Sequence, residues 1–409
     1  MDLANETGSA GSGEAVRPVF HGTAGSMFPM VLKGLFLTIV TLGIYRFWYM
    51  TNVRRFLWNN SEVDGDFLEY TGRGVELFIG FLIAVAVLIP FYAVLFLGAY
   101  YFDPVTAVIV QIVYLFALVV LAQYALYRAR RYRLTRTIWR GIRFQQSGSG
   151  WAYAWRSILW GLLTSLTLWL AYPWMRASLE RYKMNNTWYG DQQGAFSGTG
   201  GQLFWKTLPV WLVSIVLIFA FGALMASVVP KPGDPAPGLS AMHWLITVVP
   251  FLLILVLAVV LSVYWAIEYK WWANASSIGP ATASCDLGAF AFFKVYLGYF
   301  GVVLLFALAL SIIGGVIGYA LFSGGVFENL KAGGQPPIFL FVVIFALYFL
   351  IGLVFAALWQ VFGVRPIWRK ALESCEIHNL GALMAAQSTT PEANAFGEGI
   401  ADAIDFGGF

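Results

Sequence analysis

Arg55, Asn59 and Asn60 lie close together in the sequence, and Arg181, Asn185 and Asn186 repeat them at an offset of 126, each set following a tryptophan, Trp48 or Trp174. A guanidinium supplies a fork of donors and an amide adds a donor and an acceptor, so the combination suits a lipid phosphate or the lining of a polar vestibule. The same residues suit the capping and stapling of helix ends, because buried polar groups find partners. On a helix, positions 48, 52, 55 and 59 share one face, so either chemistry is presented on one side.

A second group is the run Arg128, Arg130, Arg131, Arg133, Arg136, Arg140 and Arg143, interleaved with Tyr132, Ile138, Trp139 and Phe144. It reads as an interfacial basic helix whose Arg128, Arg131, Arg133 and Arg136 meet anionic lipid. Nucleic acid is the alternative, but mixed aromatic and basic residues are equally expected beside a membrane, and no nucleic-acid partner is expected. Lys33 and Arg156 fall inside apolar segments, where an ionisable group is a functional candidate by default. Lys206, Lys294, Glu76 and Glu268 lie near segment ends and can snorkel. Cys375 and His378 have no second ligand pair nearby, so no metal is expected, and two cysteines give a redox role little support. No Ser-His-Asp order, phosphate loop or carboxylate pair is present, which argues against an enzyme; no cofactor is expected.

The elements that position these residues follow from composition. With 409 residues, 59% hydrophobic, 11% charged and mean hydropathy +0.72, the chain has too few charges to cover a soluble globule. It reads as an all-α polytopic membrane protein. Eight apolar segments lie near 28–45, 75–102, 104–127, 151–174, 203–229, 241–268, 294–322 and 337–363. The first carries Lys33 and a Thr-Leu-Gly break, and the fourth carries Arg156, Thr164, Ser165, Thr167 and Pro173, so both are poor lipid-facing spans. Lys and Arg number four in 46–74 and seven in 128–150, against one in 231–238 and one in 323–337. The positive-inside rule is met if segments one and four enter and leave on the same face. Six helices then span in three hairpins, two segments are re-entrant or interfacial, and both termini are cytoplasmic. The rival topology makes all eight segments span, with the two copies an inverted pair of the transporter kind.

Thr41–Phe78 aligned without gaps on Thr167–Phe204 gives ten identities in thirty-eight positions, a direct repeat. A lead-in of aromatic, any residue, Gly, any residue, small precedes apolar segments at Phe20–Phe28, Tyr70–Phe78 and Phe196–Phe204, more loosely at Ser147–Trp151 and faintly at Cys285–Phe293. Such a turn delivers the chain to a helix N-terminus at the interface. The expected organisation is a disordered 1–19, repeat units at 20–143 and 144–284, a third hairpin at 285–370 and a cytoplasmic tail at 371–409, with a short amphipathic helix near 398–406.

The Phe20–Gly25 lead-in, the Thr41-Leu42-Gly43-Ile44-Tyr45 break followed by Trp48, Arg55 and Asn59-Asn60-Ser61, the second copy ending in Asn185-Asn186-Thr187, and the Gly397–Ala403 tail together resemble the YjgN family of bacterial inner-membrane proteins. The resemblance runs from Phe20 to Phe409. It implies the bacterial inner membrane and a helical architecture, supplies no catalytic residues, and suggests a membrane metallopeptidase as a possible partner. The functional expectation is a transport-type or lipid-interacting protein with a polar path between the two copies. The alternative is a non-catalytic scaffold or adaptor presenting its collar and tail to a partner.

Overall fold

The structure, a computed structural model, describes residues 15–228, 249–323 and 338–387. The chain opens with β1 (Val19–Phe20), α1 (Ala24–Val40), α2 (Arg46–Asn59), β2 (Ser61–Val63), β3 (Asp66–Phe67) and β4 (Glu69–Tyr70). It continues through α3 (Gly74–Tyr101), α4 (Pro104–Thr135), β5 (Thr137–Trp139) and β6 (Ile142–Gln146). Then come α5 (Gly150–Leu166), α6 (Tyr172–Asn185), β7 (Thr187–Tyr189), β8 (Gln192–Phe196), α7 (Gly200–Val228), α8 (Val249–Ala275), β9 (Ser276–Ile278) and β10 (Ala281–Cys285). The last described part is α9 (Ala291–Ser323), α10 (Ile338–Trp359), a π turn at Gln360–Val364, α11 (Arg365–Glu373), β11 (Cys375–His378) and a 3-10 turn at Leu380–Ala385.

The expectation of an all-α chain is corrected by a sheet. Strands pair antiparallel in the orders β1-β2-β3 and β4 through β11, with β3 and β4 being one strand interrupted at Leu68. Val16 and Ile377 exchange both backbone bonds, at 2.9 and 2.8 Å, so the pairing returns to its start and forms a ring. Each strand is only two to five residues long, and closure removes the unpaired edges that such short strands would expose. Alternation is visible inside them: the outer residues of Ser61–Val63, Thr137–Trp139 and Thr187–Tyr189 are buried and the middle ones less so. Val63, Trp139, Tyr189, Ile278 and Ile377, each third in its strand, meet in one apolar cluster with Leu380 and Leu383 of the 3-10 turn. Asp64-Gly65 and Arg140-Gly141 have positive φ at both positions, the mirror-image two-residue turn that matches strand twist.

One joint recurs five times. The residue after the second strand of one hairpin donates its N–H to the carbonyl just before the first strand of the next: His21 to Asn60, Thr71 to Arg136, Ser147 to Asn186, Ser197 to Ala275 and Asp286 to Ser374, at 2.8–2.9 Å. The next side chain bonds back to the carbonyl four residues earlier in each case: Ser61 to Leu57, Thr137 to Arg133, Thr187 to Lys183, Ser276 to Trp272 and Cys375 to Ala371. These bonds satisfy carbonyls that a helix C-terminus leaves without partners. Between successive joints the chain makes a helical excursion that starts and ends at the ring.

Three excursions are long and two are short. Among the described residues six helices are long and apolar enough to cross a membrane, in α3, α4, α7, α8, α9 and the continuous α10–α11. The short excursions are α1–α2 and α5–α6. At 17 residues, α1 and α5 reach about 25 Å, less than the roughly 30 Å of hydrocarbon. Both turn back through the same two-residue left-handed step, Leu42-Gly43 and Leu168-Trp169. Thr41 Oγ1 accepts from the Tyr45 N–H at 2.9 Å and donates to the Leu37 carbonyl, and Thr167 Oγ1 does the same with Ala171 and Leu163. The Thr-Leu pair common to the two copies is therefore a turn device. The circle also closes among the helices, where α1 packs on α10 and the π turn, and Trp58 lies 4.7 Å from Trp368.

Gly74 and Gly200 begin α3 and α7 hard against the preceding excursion, where an added Cβ would sit 2.7 Å from the Trp48 Cα or 2.6 Å from the Trp174 Cα. Gly201 faces open space. We expect Gly74→Ala and Gly200→Ala each to lower stability by about 1–3 kcal/mol, read as thermal midpoint in detergent, while Gly201→Ala stays within roughly 0.5 kcal/mol.

Candidate anionic-lipid site

The five joints place five basic residues in register. Counting six back from the first strand residue of each hairpin gives Arg55, Arg131, Arg181, Lys270 and Arg369, all at the ring ends of their helices. Arg55 Nη2 donates to the Gly72 carbonyl at 3.1 Å and Arg181 Nη2 to the Gly198 carbonyl at 2.9 Å. Arg365, one turn before Arg369, makes the matching bond to Gly22 at 3.2 Å. Each of these bonds uses one donor of the fork. Arg55, Arg181, Lys270 and Arg369 remain exposed, Arg369 paired with Glu373 at 3.0 Å, and Arg131 is half-buried.

Two of these positions open into grooves. Arg156, Ser178, Arg181, Tyr182, Asn185 and Asn186 line a cavity of about 370 Å3, with the Arg156 guanidinium 4.6 Å from the centre of the Tyr182 ring. Lys206 and Lys270 line another of about 350 Å3 with Ala266, Ile267, Leu287 and Ala289. Neither lining includes a carboxylate. At Arg156 the first copy has Met30, so the groove built from four of the predicted site residues belongs to the second copy.

The other predicted residues divide. Trp48 packs on Phe78 at 5.8 Å and Trp174 on Phe204 at 5.4 Å. The Asn60 amide donates to the Phe56 carbonyl and that of Asn186 to the Tyr182 carbonyl, while Asn59 and Asn185 are exposed. Lys33 is exposed midway along α1. The two copies occupy separate corners, since α3 and α4 lie between them in ring order.

Arg136 does not belong to a lipid-facing surface. It is 6% exposed and paired with Glu76 at 2.9 Å, and Glu76 also accepts from the Tyr132 hydroxyl. Its neighbours turn toward the sheet as well: Arg130 donates to Gln146 and Thr187, Arg143 to the Thr135 carbonyl, and Arg140 pairs with Asp64 and Asp66 of the adjacent hairpin tip. Arg128 and Arg133 are half-buried and hold interactions of their own. A basic run read as one surface is thus largely internal wiring, because α4 ends inside the ring's packing.

Sequence reading also missed a buried network. Glu180 accepts from Lys183 at 2.6 Å and Arg176 at 3.3 Å, and Arg176 bonds Glu268 across to α8. Burial pulls Lys183 down to about 8, opposed by Glu180; burial would raise Glu180, but Lys183 and Arg176 hold it below the usual carboxylate range. The i, i+4 and i, i+3 spacings were visible, whereas Glu268 joins only through the fold.

The sequence profile of DUF898, described as bacterial protein of unknown function, matches residues 16–238, more than half of the chain. The chain belongs to the DUF898 family. The inner membrane protein YjgN of Escherichia coli (strain K12) is 28% identical over 148 residues, 36% of this chain and 35% of that protein. Its namesake in Salmonella typhimurium is 35% identical over 71 residues, 17% of this chain and 18% of that protein. The match thus spans about a third or less of the length of these relatives. No solved structure matches. The matched region 16–238 takes in four of the five lead-ins, both short excursions and the Arg156–Arg181 groove.

Arg55→Ala and Arg181→Ala should each cost about 1.5–3 kcal/mol for a charged hydrogen bond and its packing, and the double change should be additive within about 0.5 kcal/mol. Arg136→Ala should cost more, on the order of 3–5 kcal/mol, because Glu76 loses its buried partner. Denaturation of the single and double variants in one detergent checks all three.

Proposed function

We propose that the protein is a multi-pass inner-membrane protein that holds anionic phospholipid headgroups against the cationic belt at the ring ends of its helices, without a catalytic step. The names of its relatives support the compartment. In this reading α3–α4, α7–α8 and α9–α10 span as three hairpins, α1–α2 and α5–α6 enter and leave on one face, and the ring and both termini are cytoplasmic. The crowding of Arg residues at 128–143 beside the ring supports that orientation.

The observation that carries the lipid reading is the register of Arg55, Arg131, Arg181, Lys270 and Arg369, one basic residue per joint. Each sits where a helix gives way to the sheet at the ring end of an excursion, the depth at which phosphate groups lie in this reading. Arg156–Arg181 and Lys206–Lys270 add a second cation and a concave wall. Transport through the middle has less support: the ring is filled by Val63, Trp139, Tyr189, Leu380 and Leu383, and the two copies do not share a space. A polar path between the copies would need both.

The test is binding of phosphatidylglycerol and phosphatidylcholine to detergent-solubilised protein by native mass spectrometry. With about 1 kcal/mol for each basic residue near an anionic surface, Arg156→Gln with Arg181→Gln should weaken phosphatidylglycerol binding by roughly thirtyfold and leave phosphatidylcholine unchanged. Equal loss for both lipids, or none, would contradict the reading.

A further inference from the structure

The five joints are equivalent, and the residue pairs at their centres can be compared. Phe20 faces Ser61, Tyr70 faces Thr137, Gln146 faces Thr187 and Phe196 faces Ser276 across neighbouring strands. At the fifth joint Cys285 faces Cys375. Both partners depart from the pattern together, and they are the two cysteines of the chain, ninety positions apart. Nothing in their spacing along the chain pairs them.

Their geometry follows from the hydrogen bonds around them. The Asp286 N–H donates to the Ser374 carbonyl, and Ile377 directs both its backbone groups away from β10 toward Val16. The Cys285 N–H is taken by Asn274 Oδ1 at 2.6 Å. Bonded and non-bonded pairs alternate along an antiparallel ladder, so Cys285 and Cys375 form a non-hydrogen-bonded pair, with Cα atoms about 4.5 Å apart and side chains on one face. That separation lies inside the range of about 4.4–6.8 Å that a disulfide accepts. Both thiols pack in the cluster of Ala266, Ala273, Leu287 and Phe292. Cys285 Sγ lies 3.3 Å from Ser374 Oγ, and Cys375 Sγ 3.5 Å from the Tyr269 hydroxyl. Hydrogen bonding from Cys375, with Ser374 adding to it, draws Cys285 below the ordinary thiol range.

We infer that Cys285 and Cys375 are a reactive dithiol that a small-molecule disulfide of the glutathione class oxidises to an internal cross-strand disulfide, locking the joint between β10 and β11. One cysteine thiolate attacks a sulfur of the oxidant and expels one thiolate, leaving a mixed disulfide. The second cysteine attacks the protein sulfur of that bond, expels the other small thiolate, and closes the protein disulfide. Two electrons pass to the oxidant, which leaves as two thiols carrying the two cysteine protons. The joint chosen is the one whose outer strand, β11, is completed among the described residues by the Val16 bridge and carries the apolar turn Leu380–Ala385 into the ring. The covalent bond therefore fastens the strand on which closure depends.

The full chain in detergent is equilibrated with mixtures of reduced and oxidised glutathione, quenched in acid, unfolded, and counted for free thiols with a mass-tagged maleimide. The folded protein should lose both thiols together, as a monomer, at a ratio of oxidised to reduced glutathione on the order of tenfold or more below that needed after unfolding in SDS. Cys285→Ser and Cys375→Ser should each yield only the mixed disulfide, and the oxidised wild type alone should gain thermal stability that reductant removes. Two free thiols throughout, a mixed disulfide as the end product in the wild type, disulfide-linked dimers, or the same ratio folded and unfolded would overturn the assignment.

Discussion

A single backbone hydrogen bond, from the residue after one strand to the carbonyl that ends the next helix, recurs at all five joints, and the architecture depends on it. An apolar helix that stops short of water must still satisfy its last carbonyls, since each polar group left bare in such surroundings costs several kcal/mol. The joint meets this need twice over, with the inter-strand bond and with the Ser, Thr or Cys side chain that bonds back one turn. Because the partner strand comes from the neighbouring hairpin, the same bonds that end a helix also build the ring.

From that constraint the rest follows in order. Both ends of every excursion are fixed at the ring, and length separates the three long excursions from the two short ones. The short pairs turn at Leu42-Gly43 and Leu168-Trp169. Many of the charged residues collect at the ring, where the chain has polar backbone to hold them, and the same register spaces Arg55, Arg131, Arg181, Lys270 and Arg369 around it. Some of that charge is consumed internally, as at Arg136–Glu76 and Arg176–Glu180–Glu268. What remains outward is the belt on which the lipid reading rests.

The sequence disclosed the repeat more readily than the ring. All five glycine or glycine-like lead-ins were legible, as were the six long apolar helices and the breaks in segments one and four, because these are local patterns. The strands were not. Two to five residues carry too little alternation, and their partners lie as far away as Val16 from Ile377 or Cys285 from Cys375. Arg55 and Arg181 stood out by repetition, but nothing local says that each donates to a glycine carbonyl seventeen residues on. Lys270 and Arg369 escaped notice because their register is visible only once the strands are known. The arginines of 128–143 looked like one surface because a linear run conceals which of them the ring will enclose. The expected helix near 398–406 lies outside the described residues.

The central claim, that every excursion leaves and rejoins the ring on one side of the membrane, is tested most directly by single-cysteine labelling in cells with a Cys285→Ala, Cys375→Ala background. Asp64→Cys, Asp191→Cys and Pro280→Cys mark three hairpin tips of the ring, and Asp103→Cys marks the far end of the α3–α4 pair. The account predicts that an impermeant maleimide added outside reaches position 103 and none of the three tips until the inner membrane is opened. Labelling of position 64 or 191 from outside, or of the tips from opposite sides, would contradict it.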